Sequence, residues 1–114
     1  MSVEITRVNE YRFMWLMVFF DMPTETKKQR KAYADFRKRL LSDGFVMFQF
    51  SLYIRHCASW ESSEVHRKRV ASLVPEWGDI GILGITDKQF GNMQLFHGTK
   101  KKTAPPQAMQ LELF

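Results

Sequence analysis

An apolar run in this chain ends on a single carboxylate. Phe13 to Phe20, FMWLMVFF, continues for eight residues without a polar side chain and then meets Asp21, Met22-Pro23 and the threonines Thr24 and Thr26. A carboxylate placed where a buried strand leaves its sheet costs free energy unless solvent, a cap or a metal ion satisfies it. Capping the next helix is the plain alternative, since Asp is favoured near helix N-termini. Thr24 and Thr26 are better placed for that task, and Thr26 with Gln29 fits a capping box. Asp21 is therefore left free for other chemistry.

The remaining reactive side chains offer less. His56 and Cys57 are adjacent, His66 stands alone on a helical pattern and His97 is remote, so the spacing of a zinc site is absent. Cys57 has no general base at a defined spacing, which leaves a Cys–His nucleophile unsupported. Gly78, Gly81 and Gly84 fall within or beside a strand pattern rather than in a phosphate-binding loop. An RNA-recognition module would carry aromatics on a central strand, and Ile80 to Thr86 has none.

Charge points to the partner. The sequence carries a net charge of +5 over 114 residues, and much of the positive charge lies in one stretch. Lys27, Lys28, Arg30, Lys31, Arg37, Lys38 and Arg39 occupy the arc of a helix left open by an Ala32, Tyr33, Phe36, Leu40 stripe. A solvated helix face normally interleaves acidic partners at i, i+4, and here only Asp35 interrupts the cations. That imbalance points to a phosphate-binding surface for DNA or RNA.

The elements that must position these residues follow from pattern. The apolar run reads as a strand buried on both faces, and Thr26 to Ser42 as a helix stopped by Asp43-Gly44. Phe45 to Ile54 alternates as one strand, with Val46, Phe48, Phe50, Leu52 and Ile54 on one face. A second helix runs from near Ser59–Ser62 to about Leu73, carrying Val65, Val70 and Leu73, and Pro75 ends it. Asp79 to Thr86 is a short strand, Asp87 to Gly91 a turn, and Asn92 to His97 a further strand. The order β-α-β-α-β-β is close to an α+β, ferredoxin-like split βαβ sandwich with two helices on one face and the other free for a second copy.

Residues 1–98 form the expected domain, preceded within it by a leader of mixed charge from Met1 to Arg12. Residues 99–114 form an arm, in which Lys100 to Lys102 and Pro105-Pro106 lead to a strand-forming Gln110-Leu111-Glu112-Leu113-Phe114. The single cysteine excludes an internal disulfide and favours a reducing compartment. No segment reaches the ~18–20 apolar residues of a membrane span, and the N-terminus lacks a secretory layout. The expected location is cytoplasmic, with no membrane partner.

The apolar strand, Phe20-Asp21-Met22-Pro23, the basic helix with Arg30, Gly44 and then Gln49-Phe50-Ser51-Leu52-Tyr53 together resemble the second CRISPR-associated protein family, the small subunit of the spacer-acquisition complex. Pro105-Pro106 and the closing Gln110 to Phe114 are similar to variants that accompany type II systems. The resemblance spans Tyr11 to Phe114 and implies a ferredoxin-like homodimer. It implies that Asp21 is the Mg²⁺ ligand, one from each protomer, and that Ser51, with Phe50, lies near it, making Asp21 and Ser51 the implied catalytic residues. Members are described as metal-dependent endoribonucleases or double-stranded DNA nucleases, and also as a non-catalytic bridge between two integrase dimers. After Ser51 the chain departs from the family pattern, with Tyr53-Ile54-Arg55 where many members carry an acidic residue.

Overall fold

A computed structural model describes residues 14–102, with side chains described for residues 14–99. The leader, Phe13 and the arm from Thr103 onward, including the expected terminal strand at Gln110 to Phe114, lie outside the described residues. The elements are β1 (Met14–Asp21), α1 (Lys27–Ser42), β2 (Val46–Gln49), β3 (Leu52–Cys57), α2 (Trp60–Leu73), β4 (Asp79–Thr86), α3 (Asp87–Gly91), β5 (Leu95–His97) and β6 (Lys100–Lys102). β1 to β4 form one antiparallel sheet in the order β2-β3-β1-β4. This is the ferredoxin-like α+β layout expected from the sequence.

β1 lies in the middle because it can bury both faces. Its even residues Met14, Leu16, Val18 and Phe20 pack with Phe36 and Leu40 of α1 and Val70 of α2. Its odd residues begin on the opposite face with fully buried Trp15, which stacks on Phe90 of α3 at 4.1 Å between ring centroids. Burial on that face fades along the strand, through half-buried Met17 to exposed Phe19 and Asp21. α3 covers only the Trp15 end, so the expectation of burial on both faces holds for the first half of β1 and fails for the second.

α1 begins and ends as expected. Thr26 Oγ1 accepts the Gln29 N–H at 3.0 Å and Gln29 Oε1 accepts the Thr26 N–H at 3.0 Å. At the other end Gly44 takes φ +88, and the N–H groups of Gly44 and Phe45 donate to Leu41 and Leu40 carbonyls.

Three further expectations need correction. Phe45 to Ile54 is not one strand: it breaks at Phe50-Ser51 into the β2–β3 hairpin, with Ser51 at φ +64. No Gly, Pro, Asn or Asp marks that turn, so the alternating pattern runs through it unbroken. The order thus becomes β-α-β-β-α-β before the additional C-terminal elements. Asp87–Gly91 is a single helical turn rather than a turn of coil, capped by Thr86 Oγ1 on the Gln89 N–H at 3.1 Å. The strand expected over Asn92 to His97 shortens to Leu95–His97, which leaves the main sheet and pairs with Lys100–Lys102 around Gly98.

Candidate active site

Asp21 ends β1 and Asp79 begins β4, and antiparallel register makes them cross-strand partners. Both are exposed. The pairing of Phe19 with Gly81 two positions earlier places Asp21 and Asp79 on the sheet face opposite the helices. Carboxylates directly opposite each other repel. Neither forms an ion pair or a side-chain hydrogen bond among the described residues.

The chain approaches itself closely here. Gly78 sits at φ +101, where an added Cβ would lie 2.9 Å from the Asp21 carbonyl oxygen and 2.8 Å from Met22 Cγ. Only glycine both adopts that conformation without strain and leaves room for the β1 backbone. On the other side the Phe20 N–H donates to the Ser51 carbonyl at 3.1 Å, so the left-handed turn residue is tied to the end of β1. Asp21, Asp79, Phe50 and Ser51 thereby line one cleft of about 550 Å³.

The basic residues form a separate surface. Lys27, Lys28, Arg30, Lys31, Arg37 and Lys38 all lie exposed on α1, in the helix layer, and none lines the cleft. Two of them are already engaged. Arg30 donates to the Thr24 and Glu25 carbonyls at 3.1 and 2.9 Å, bracing the turn after Asp21. Lys28 Nζ lies 5.7 Å from the Trp77 ring centroid.

A second acidic centre lies behind α1. Asp43, at the α1 C-cap, accepts the His66 Nδ1–H at 2.8 Å and an Arg69 guanidinium N–H on its other oxygen. Burial alone raises its pKa, but these two partners outweigh that effect and hold the carboxyl below its ordinary value. Arg55, in the Tyr53-Ile54-Arg55 segment after Ser51, donates to the Asp43 carbonyl at 2.7 Å and to the His56 carbonyl at 2.7 Å. It fastens β3 to the end of α1. Cys57 is fully buried and its thiol is pushed up by that burial, which removes it as a nucleophile. Among the described residues no group of three or more His, Cys, Asp or Glu converges as a metal cage.

Sequence reasoning missed Asp79 and the Asp43 cluster. Asp79 had a signal: an eight-residue strand ending in Asp and another beginning in Asp bring the two acids together when paired in antiparallel register. His66 and Arg69 lie three apart on one face of α2, a weaker hint that an acid packs against them.

The family model for CRISPR associated protein Cas2 matches residues 14–93, a span that contains Asp21, Ser51 and Asp79. The chain belongs to the Cas2 family. It is 59% identical over 109 residues to the CRISPR-associated endoribonuclease Cas2 of Flavobacterium psychrophilum, covering 96% of this chain and 95% of that protein. It is 52% identical over 101 residues to the protein of the same name from Parvibaculum lavamentivorans, covering 89% and 100%. With that of Ligilactobacillus salivarius it shares 43% over 89 residues, covering 78% and 88%. The Cas2 match includes the whole β1–β4 sheet and α3 and stops before the β5–β6 hairpin. Among the described residues of this Cas2-family chain, no helix is long and apolar enough to cross a membrane.

Proposed function

We propose that this chain is the Cas2 subunit of CRISPR spacer acquisition and that it carries endoribonuclease activity, hydrolysing RNA phosphodiester bonds at the Asp21 cleft with Mg²⁺ as cofactor. The observation that carries the reading is the uncompensated facing pair Asp21 and Asp79 at the mouth of that cleft. Their donors are carboxylate oxygens only, which suits a hard cation such as Mg²⁺ and not a thiolate- or imidazole-seeking metal. Asp21 would be the principal ligand and Asp79 its neighbour; two carboxylates make a weak Mg²⁺ site that substrate phosphates complete. When bound, Mg²⁺ supplies Lewis-acid activation of water and of a phosphoryl oxygen. The chain's own residues do the positioning: Arg30 braces the turn after Asp21, and Ser51, through its carbonyl, fixes the end of β1 against the β2–β3 turn.

The active form in this reading is a homodimer. Phe19 and Leu83 are about half exposed on the sheet face that also bears Asp21, a surface that a second copy would cover. Such pairing would bring two copies of Asp21 and Asp79 toward one axis. The integrase subunit would dock through the arm, residues 99–114.

Purified protein should cleave RNA in Mg²⁺, with cleavage lost in EDTA and in Asp21→Ala. Equal cleavage by wild type and Asp21→Ala would assign the activity to a contaminant.

One observation favours a second reading, a non-catalytic scaffold that holds duplex DNA and bridges two integrase dimers. The exposed cations of α1 belong to the helix layer, so a phosphate backbone held there is not automatically delivered to Asp21. Replacing Lys31, Arg37 and Lys38 with Ala should weaken duplex binding and flatten its salt dependence by about one slope unit per lost phosphate contact. Spacer acquisition retained in Asp21→Ala cells supports the scaffold, and its loss supports the hydrolase.

A further inference from the structure

Phe50 is 83% exposed, more than any other large apolar side chain among the described residues. It precedes Ser51 in the β2–β3 turn, and the left-handed conformation of Ser51 fixes the course of the backbone there. Tyr33 of α1 backs the ring, with centroids 6.4 Å apart and planes at 27°. Tyr33 in turn packs edge-on against Phe20 at 5.8 Å, and Phe20 contacts the core rings of Phe36 and Tyr53. The exposed ring is thus anchored to the core while remaining uncovered.

Its position narrows what covers it. Phe50 lines the cleft that holds Asp21 and Asp79, whereas its backing residue belongs to the basic helix. It therefore stands where the cationic helix layer meets the acidic cleft. An occupant that spans the two surfaces would carry negative charge along α1 and offer a flat apolar surface at the ring. A nucleic acid strand with an unpaired base does both. Bases inside a duplex are stacked on each other and have no face to give. A second copy of the chain is the competing occupant, because Phe19 of the apolar sheet face lines the same cleft although Tyr33 and the helices lie on the other side of the sheet; a loss of binding that tracks dimer dissociation distinguishes it from RNA.

We propose that Phe50, backed by Tyr33, is a stacking platform for an unpaired nucleobase beside the phosphodiester at the Asp21–Asp79 cleft, and so determines preference for single-stranded RNA there. The role at the scissile bond rests on the endoribonuclease reading; the stacking itself does not. Removing one base–aromatic stack lowers affinity sequence-tolerantly, and because no phosphate contact is lost the salt dependence stays the same.

The test measures binding of a short single-stranded RNA carrying one 2-aminopurine, and of the same RNA in a duplex, to full-length protein in an Asp21→Asn background. Phe50→Ala should weaken single-strand binding by about 5- to 150-fold with an unchanged slope against salt, and leave duplex binding unchanged. Phe50→Trp should restore it, and Phe50→Leu should not. Equal losses on single strand and duplex, full affinity in Phe50→Leu, or a loss that follows dimer dissociation in sedimentation velocity would each overturn the platform. Wild-type protein that binds through Phe50 but cleaves no RNA would sink the hydrolase reading and leave the platform standing. RNA cleavage with binding indifferent to Phe50 would do the reverse.

Discussion

Asp21 and Asp43 each stand at the end of one of the first two elements of the described residues, under opposite electrostatic conditions. Asp43 has an 8% exposed side chain held by His66 and Arg69. Asp21 is exposed and faces a second acid, with no cation paired to either among the described residues. Folding alone favours compensating both, because like charges across a strand pair are destabilising and a buried acid without partners is more so. The chain compensates the acid on which helix packing depends and leaves the pair at the cleft unbalanced. Local rules broken at one place while kept elsewhere are expected at functional or strained positions.

The comparison breaks first on activity. Asp21→Ala should bring RNA cleavage to the background of the EDTA control while leaving thermal stability at or slightly above wild type. Asp43→Ala should do the opposite: cleavage per folded molecule stays, and stability falls by about 2 kcal/mol, since two charge-assisted contacts lose their acceptor. For a chain of this size that is a Tm lower by roughly 10 °C. If calorimetry finds Asp21→Ala to be the destabilised variant, the division of labour between the two acids is wrong.

A smaller effect sharpens the same contrast at low pH. The Asp43 carboxyl titrates below its ordinary value in the folded protein, so the unfolded chain binds the extra proton first as the pH drops. Its contribution is complete above the ordinary carboxylate range near pH ~4 and is lost as pH falls through the depressed folded value. Denaturation curves of Asp43→Asn should therefore show a flatter loss of stability below about pH 4 than wild type. Parallel acid limbs for the two proteins would mean that His66 and Arg69 do not hold the charge.

Legibility in the sequence follows the same line between local and long-range determinants. α1 could be read from its capping box, its apolar stripe and Gly44, all of them short-range signals. β4 was equally clear as the β-branched run from Asp79 to Thr86. The β2–β3 turn was hidden because Phe50-Ser51 carries no Gly, Pro, Asn or Asp, and Ser51, left-handed at φ +64, is tied through its carbonyl to the distant Phe20 N–H. For the site, Asp21 stood out as a charge ending an apolar run. Asp79 did not, because its significance depends on a strand pairing 58 positions away in the chain, from 21 to 79. Arg55 was noticed only as part of the Tyr53-Ile54-Arg55 segment, and its contact with the Asp43 carbonyl depends on how β3 meets the end of α1.

The smallest predicted change is the most direct probe of the unbalanced pair. Asp79→Asn removes one of two facing charges and keeps the shape, so in metal-free buffer it should raise stability by about 0.5 kcal/mol, the scale of a cross-strand pair. Adding Mg²⁺ should then raise the Tm of wild type more than that of the variant, because a cation shared by both carboxylates stabilises the folded state in proportion to its affinity for it. The variant's advantage should shrink with each increment of Mg²⁺ and vanish or reverse near saturation. An advantage that stays constant from EDTA to millimolar Mg²⁺ would mean that Asp21 and Asp79 do not share an ion, and the contrast with Asp43 would reduce to one between a buried acid and two exposed ones.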